Sequence, residues 1–93
     1  MLIVHERVCK RHPNLSEQDV LDAWNNALRS LQRVDKDPNE YVALGFDRSG
    51  RAIEMVAKRS ERGNWLIFHA MTPPSAKTLK ELGLKGGPHN DKR

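Results

Sequence analysis

The sequence predicts an α+β domain, with helices and an antiparallel sheet in separate stretches of chain. Three observations lead there. Ser16-x-x-Asp19 opens a helix whose apolar residues recur at helical spacing. Three β-prone segments then follow one another across compact glycine turns, and Pro73-Pro74-Ser75 introduces a closing helix.

The chain starts on Leu2-Ile3-Val4, a short β-prone run. In the next segment Val8 and Cys9 can line one face of a short helix that ends before Pro13. Ser16 and Asp19 have the spacing of a capping box, in which the serine side chain takes an unpaired amide of the first turn. Val20, Trp24, Ala27, Leu28 and Leu31 fall at i, i+4, i+7, i+8 and i+11, so a helix is expected over 17–32. Asp35 to Asn39 is a polar loop containing Pro38.

Residues 41–46, 51–58 and 64–71 are the strand candidates, rich in aliphatic and aromatic side chains. Asp47-Arg48-Ser49-Gly50 and Ser60-Glu61-Arg62-Gly63 join them, each turn holding a glycine that can take positive φ. A three-stranded antiparallel meander is the simplest result, with the third strand, apolar on both faces, at its centre. Proline costs nothing in the first turn of a helix, so a short one starts near Ser75. Ala76, Leu79 and Leu82 face the sheet, and Gly83 stops it.

Ninety-three residues suffice for one domain, placed at 1–84, with 85–93 as a flexible polar C-terminal tail. A charged fraction of 30% beside a full set of core residues is a globular composition rather than a disordered one. No apolar run reaches the ~18 residues of a membrane span, and the lone Cys9 has no intrachain partner, so a cytoplasmic address is expected. Charge is uneven. Residues 1–40 carry six Lys/Arg against seven Asp/Glu, whereas 41–93 carry ten against five, a basic surplus suited to a phosphate-rich partner.

His69 is the most informative residue. On a regular strand Trp65, Ile67, His69 and Met71 share one face, which puts an imidazole near the strand end, where it can fill a cleft edge or exchange protons. Lys58, Arg59 and Arg62 lie on the strand end and turn preceding it. A histidine with guanidinium groups can cleave RNA without metal, one moving protons and the others stabilising the charge of the pentavalent state. His5, Cys9 and His12 could share a helical face as zinc ligands, but the paired short spacings of a complete site are missing, and no metal or other cofactor is expected. The sequence has no P-loop, no G-x-G-x-x-G and no G-x-S-x-G.

Arg11-His12-Pro13-Asn14-Leu15-Ser16, Tyr41 to Phe46 with Gly50-Arg51 to Val56, and Trp65 to Pro73 together resemble the BrnT-type toxins of type II toxin-antitoxin modules, within the RelE-like ribonuclease group. The similarity spans about residues 11–82. It implies a RelE-like fold and a metal-independent endoribonuclease that cuts mRNA and inhibits translation. It also implies a DNA-binding antitoxin as partner, and RNA, free or on the ribosome, as substrate. Arg59 or Arg62 stands for the family's arginine at the end of the second hairpin strand. The arginine expected on the third strand is Met71 here, and His69, two positions earlier, is left to supply chemistry. The expected catalytic set is therefore His69, Arg59 and Arg62, with Lys58, Arg51, Arg11 and His12 on the RNA. The alternative is a non-catalytic module of the same fold that binds protein or nucleic acid.

Overall fold

Ser16 opens the second helix as its spacing with Asp19 requires. Its hydroxyl accepts the Asp19 amide at 3.1 Å, and the Asp19 carboxylate accepts the Ser16 amide at 2.9 Å. The computed structural model describes residues 1–84, so the tail expected over 85–93 lies outside the described residues. Strand β1 (Leu2–Val4) and helix α1 (Glu6–Arg11) precede α2 (Glu17–Asn25). Strands β2 (Ala27–Gln32), β3 (Glu40–Phe46), β4 (Ala52–Arg59) and β5 (Trp65–Met71) follow, and α3 (Ala76–Glu81) closes the described chain. The domain is α+β, and none of its described helices is long and apolar enough to cross a membrane.

Two expectations about the sheet are overturned. It has five strands in the order β1-β5-β4-β3-β2, rather than three, and its centre is β4 rather than β5. Ile53 to Ala57 of β4 are buried without interruption, as a strand covered on both faces must be. β1 adds parallel to β5, pairing Leu2 with Trp65 and Val4 with Ile67, while the meander strands and β2 pair antiparallel.

The second correction concerns residues 26–32. The helix expected to run to Gln32 stops at Asn25, and Ala27–Gln32 form the edge strand β2. Consecutive asparagines end it: the Asn26 backbone and side-chain nitrogens both donate to the Asp22 carbonyl, at 3.0 and 2.9 Å. Leaving the helix lets this segment pair with β3 and frees two arginines to reach α3. Arg29 donates to the Leu82 carbonyl at 3.0 Å, and Arg33 forks onto the Glu81 carboxylate at 2.7 and 2.9 Å while also pairing Glu40 at 2.7 Å.

The sheet separates two clusters. Under α1 and α2 lie Val8, Leu15, Val20 and Ala23 with Ile53, Met55, Ala57, Ile67 and Ala70. On the other face Val42, Leu44 and Val56 pack with Leu82 of the α3 end and the partly buried Phe68 and Leu79. A bulge in β5 decides which face each residue joins. Ala57 pairs with Ile67 and Val56 with His69, so Phe68 is the extra residue and the alternation is reset there. The four residues expected on one face are divided: Trp65 and Ile67 face the helices, whereas His69 and Met71, beyond the bulge, lie on the α3 face.

Helix α2 comes so close to β3 that no side chain fits between them. A Cβ on Gly45 would stand 1.8 Å from the Ala23 carbonyl oxygen, an overlap that only backbone movement can relieve. Gly45→Ala is expected to destabilise the domain by at least about 3 kcal/mol in urea unfolding, since the added methyl meets backbone rather than a yielding side chain. Gly50→Ala meets no atom within 4 Å and strains only a φ of +87°, so its cost is expected near 1 kcal/mol.

Candidate functional site

A carboxylate within a run of buried apolar residues needs partners. Glu54 lies in the middle of β4 with its side chain 6% exposed, and it finds them all on the α3 face. One oxygen accepts the Ser75 amide at 2.7 Å and the Ser75 hydroxyl at 2.9 Å, at the start of α3. The other lies 2.7 Å from Nε2 of His69. Burial alone would raise this carboxyl group. The hydrogen bonds from His69, from Ser75 and from Thr78 outweigh it and hold the pKa at about 2, so Glu54 is an anion at neutral pH.

An ionised carboxylate only accepts hydrogen bonds, which fixes the imidazole. In the neutral ring Nε2 of His69 carries the proton donated to Glu54 and Nδ1 keeps its lone pair. The ring is 34% exposed, so it is reachable from solvent. Behind it Ser75 is committed inward, its hydroxyl bonded to Glu54 and accepting the Thr78 amide at 3.2 Å. The arrangement is an oriented base: a buried anion sets the tautomer and stands ready to stabilise the imidazolium that proton transfer would create.

A second imidazole stands beside the first. β1 covers β5 only as far as Ile67, and past that point the end of α1 brings in His12, whose ring lies 6.3 Å from that of His69, edge to face. Its backbone is pinned on both sides, the amide donating to Val8 and the carbonyl accepting from Leu15. Arg11, the preceding residue, is exposed.

The remaining expected residues are not brought to this place. Arg59 pairs with Trp65, four positions before His69, which at the rise of a strand is about 13 Å away. Arg62 sits further out in the turn, exposed. Arg59 instead stacks on Trp65, 5.8 Å from the ring centre, in an aromatic group completed by Trp24 and Tyr41. Lys58 is paired with Asp37 at 3.0 Å.

Arg51 holds the structure together. It pairs Asp47 at 2.8 Å and Asp19 at 3.0 Å and donates to the Asn14 carbonyl at 2.9 Å, tying the β3–β4 turn to the loop after His12. Asp47 feels burial as an upward push. The donors of Ser49 and Arg51 overcome it and bring the carboxyl to about 2.

The zinc alternative is not assembled: among the described residues no three His, Cys, Asp or Glu side chains are gathered for an ion, and Nδ1 of His5 accepts the Arg7 amide instead. Burial, followed by the charges of Glu17 and Asp19, pushes the Cys9 thiol up, away from the nucleophilic thiolate.

Sequence reasoning missed Glu54 and Ser75. The signal was present, since Glu54 is the one charge inside Ile53 to Ala57, where a buried acid implies a dedicated partner. Comparison with protein-family models, with curated proteins and with solved structures finds no match.

Glu54 should make the fold acid-sensitive. With its pKa lowered from 4.5 to about 2, it stabilises the folded state fully above pH 4.5, and that contribution is lost as the pH falls towards 2. The loss is expected on the order of 3 kcal/mol. Urea titrations of wild type and Glu54→Gln between pH 2 and 6 check it: the difference in stability between the two should shrink as the pH falls.

Proposed function

We propose that this chain is a metal-independent endoribonuclease, the toxin of a type II toxin-antitoxin pair of the BrnT type with a RelE-like fold. The observation that carries the reading is the 2.7 Å contact between His69 and the buried Glu54, which presents an oriented imidazole at a solvent-accessible edge. Nδ1 of His69 takes the proton of a ribose 2′-hydroxyl. The oxygen then attacks the adjacent phosphorus, giving a 2′,3′-cyclic phosphate end.

The cations divide by position. Arg11 is the guanidinium next to His12 and serves the reacting phosphate, while Arg59, Arg62 and Lys58, at the far end of the β4–β5 hairpin, serve the flanking backbone. Arg51, held by two carboxylates, acts by fixing the loop rather than by touching RNA. The implied partner is a small DNA-binding antitoxin, and the implied place of action is the cytoplasm.

A second reading has an observation in its favour. Arg59 is in register with Trp65, about 13 Å along β5 from His69, with Arg62 further out in the turn, and Met71 stands where the resemblance leads one to expect an arginine, so a module that binds without cleaving is the competitor. Induced expression in a bacterial host separates them. Wild type should arrest growth and yield new RNA ends carrying cyclic phosphate, and His69→Ala should do neither. A folded, abundant wild type that leaves growth and RNA intact would establish the binding module.

For Arg59→Ala with Arg62→Ala, RNA affinity should fall several-fold at low salt, and the dependence of affinity on salt should become shallower. Filter binding across a salt series reads both.

A further inference from the structure

Transesterification of RNA needs two proton transfers, one from the attacking 2′-hydroxyl and one to the departing 5′-oxygen. An alkoxide is a poor leaving group, so the second transfer matters as much as the first. Resting on the ribonuclease reading above, we infer that His12 is the general acid of the reaction, paired with His69 as general base. The two rings lie 6.3 Å apart, edge to face, on the stretch of β5 that β1 leaves uncovered. An attacking and a leaving oxygen in line across phosphorus stand roughly 3.5 Å apart, and each needs a nitrogen within about 3 Å, so two imidazoles at this separation can serve both ends of one phosphodiester.

Their surroundings assign the roles. His69 is backed by ionised Glu54 through Nε2, so the nitrogen of its neutral ring that can accept a proton is Nδ1. His12 has no hydrogen-bond partner for its ring among the described residues, so it is free to carry a proton and turn it towards substrate, while its backbone bonds to Val8 and Leu15 keep it in place. Other donors nearby are already committed. The Thr72 hydroxyl donates to the Ala52 carbonyl at 2.6 Å, the Ser75 hydroxyl is held by Glu54, and the Cys9 thiol faces the helix-side core.

The step balances without a co-reactant. The 2′-oxygen to phosphorus bond forms as its proton passes to Nδ1 of His69, and the bond from phosphorus to the 5′-oxygen breaks as a proton from His12 passes to that oxygen. The imidazolium of His69 and the neutral His12 then return to their starting states by exchange with water. Arg11, exposed and one residue before His12 in the chain, is the cation assigned to the charge on the non-bridging oxygens.

A leaving group that needs no proton separates the acid from the base. Purified full-length wild type, His12→Ala and His69→Ala are assayed on the dinucleotide UpA and on uridine 3′-(4-nitrophenyl phosphate), whose nitrophenolate departs unaided. His12→Ala is expected to lose about 100-fold or more on UpA and only a few-fold on the aryl ester, whereas His69→Ala loses comparably on both. A folded His12→Ala that loses equally on the two substrates, or that loses on neither, overturns the assignment. Should the alanine variant not fold by circular dichroism, His12→Asn is put through the same comparison with the same criteria. A wild type that cleaves neither substrate and also leaves cellular RNA intact on induced expression removes the ribonuclease reading itself, a result distinct from any behaviour of the variants.

Discussion

Burying one carboxylate governs much of this molecule. Glu54 lies at the centre of the sheet, where an unpaired anion would not be tolerated, and three donors within 2.9 Å answer it, with Thr78 adding to them. Two belong to Ser75 and fix where α3 begins. The third belongs to His69 and fixes how its ring is turned. The need that stabilises the fold thus also prepares the candidate chemistry, because the carboxylate those donors hold in place engages Nε2 of His69 and leaves Nδ1 uncommitted.

Around that centre, two local irregularities set the geometry. The extra residue at Phe68 turns His69 away from the helix-side core and onto the face where Glu54 waits. The absent side chain at Gly45 lets α2 settle against β3 backbone to backbone, which gives the helix layer its depth. Arg51 then links the β3–β4 turn to the loop behind His12 through Asp47, Asp19 and Asn14, so the two imidazoles are positioned from opposite sides of the sheet. The basic hairpin end belongs to a different part of the surface, with its own aromatic floor at Trp65.

Much of the fold was legible in the sequence because its signals are local. The Ser16 and Asp19 capping pair, the two glycine turns and the Pro-Ser start of α3 each act over four residues or fewer, and all are present. The errors arise where distant partners decide. Ala27, Leu28 and Leu31 fit a helix by spacing, but β3 offers that segment a ladder, and Glu40 and Glu81 offer Arg33 a fork. A bulge leaves no mark on alternation until its partner strand is known, so the face of His69 was misassigned. His69 itself stood out as an imidazole in an apolar run. Glu54, its partner fifteen residues earlier, was concealed within a strand pattern read for its hydrophobicity.

The separations of these contacts carry a consequence for how the protein comes into being. Arg51 reaches back 37 residues to Asn14, His69 reaches 15 to Glu54, and Ser75 reaches 21 to the same carboxylate. Loops of this length close after local helices and turns have formed, and Ser75 is among the last described residues to leave a ribosome. A nascent chain that has made its helices and hairpins still lacks the Ser75 donors that hold the Glu54 carboxylate against His69. The oriented imidazole therefore waits on the start of α3, and a copy that stops before Ser75 carries His69 and Glu54 without the donors that hold the carboxylate in place.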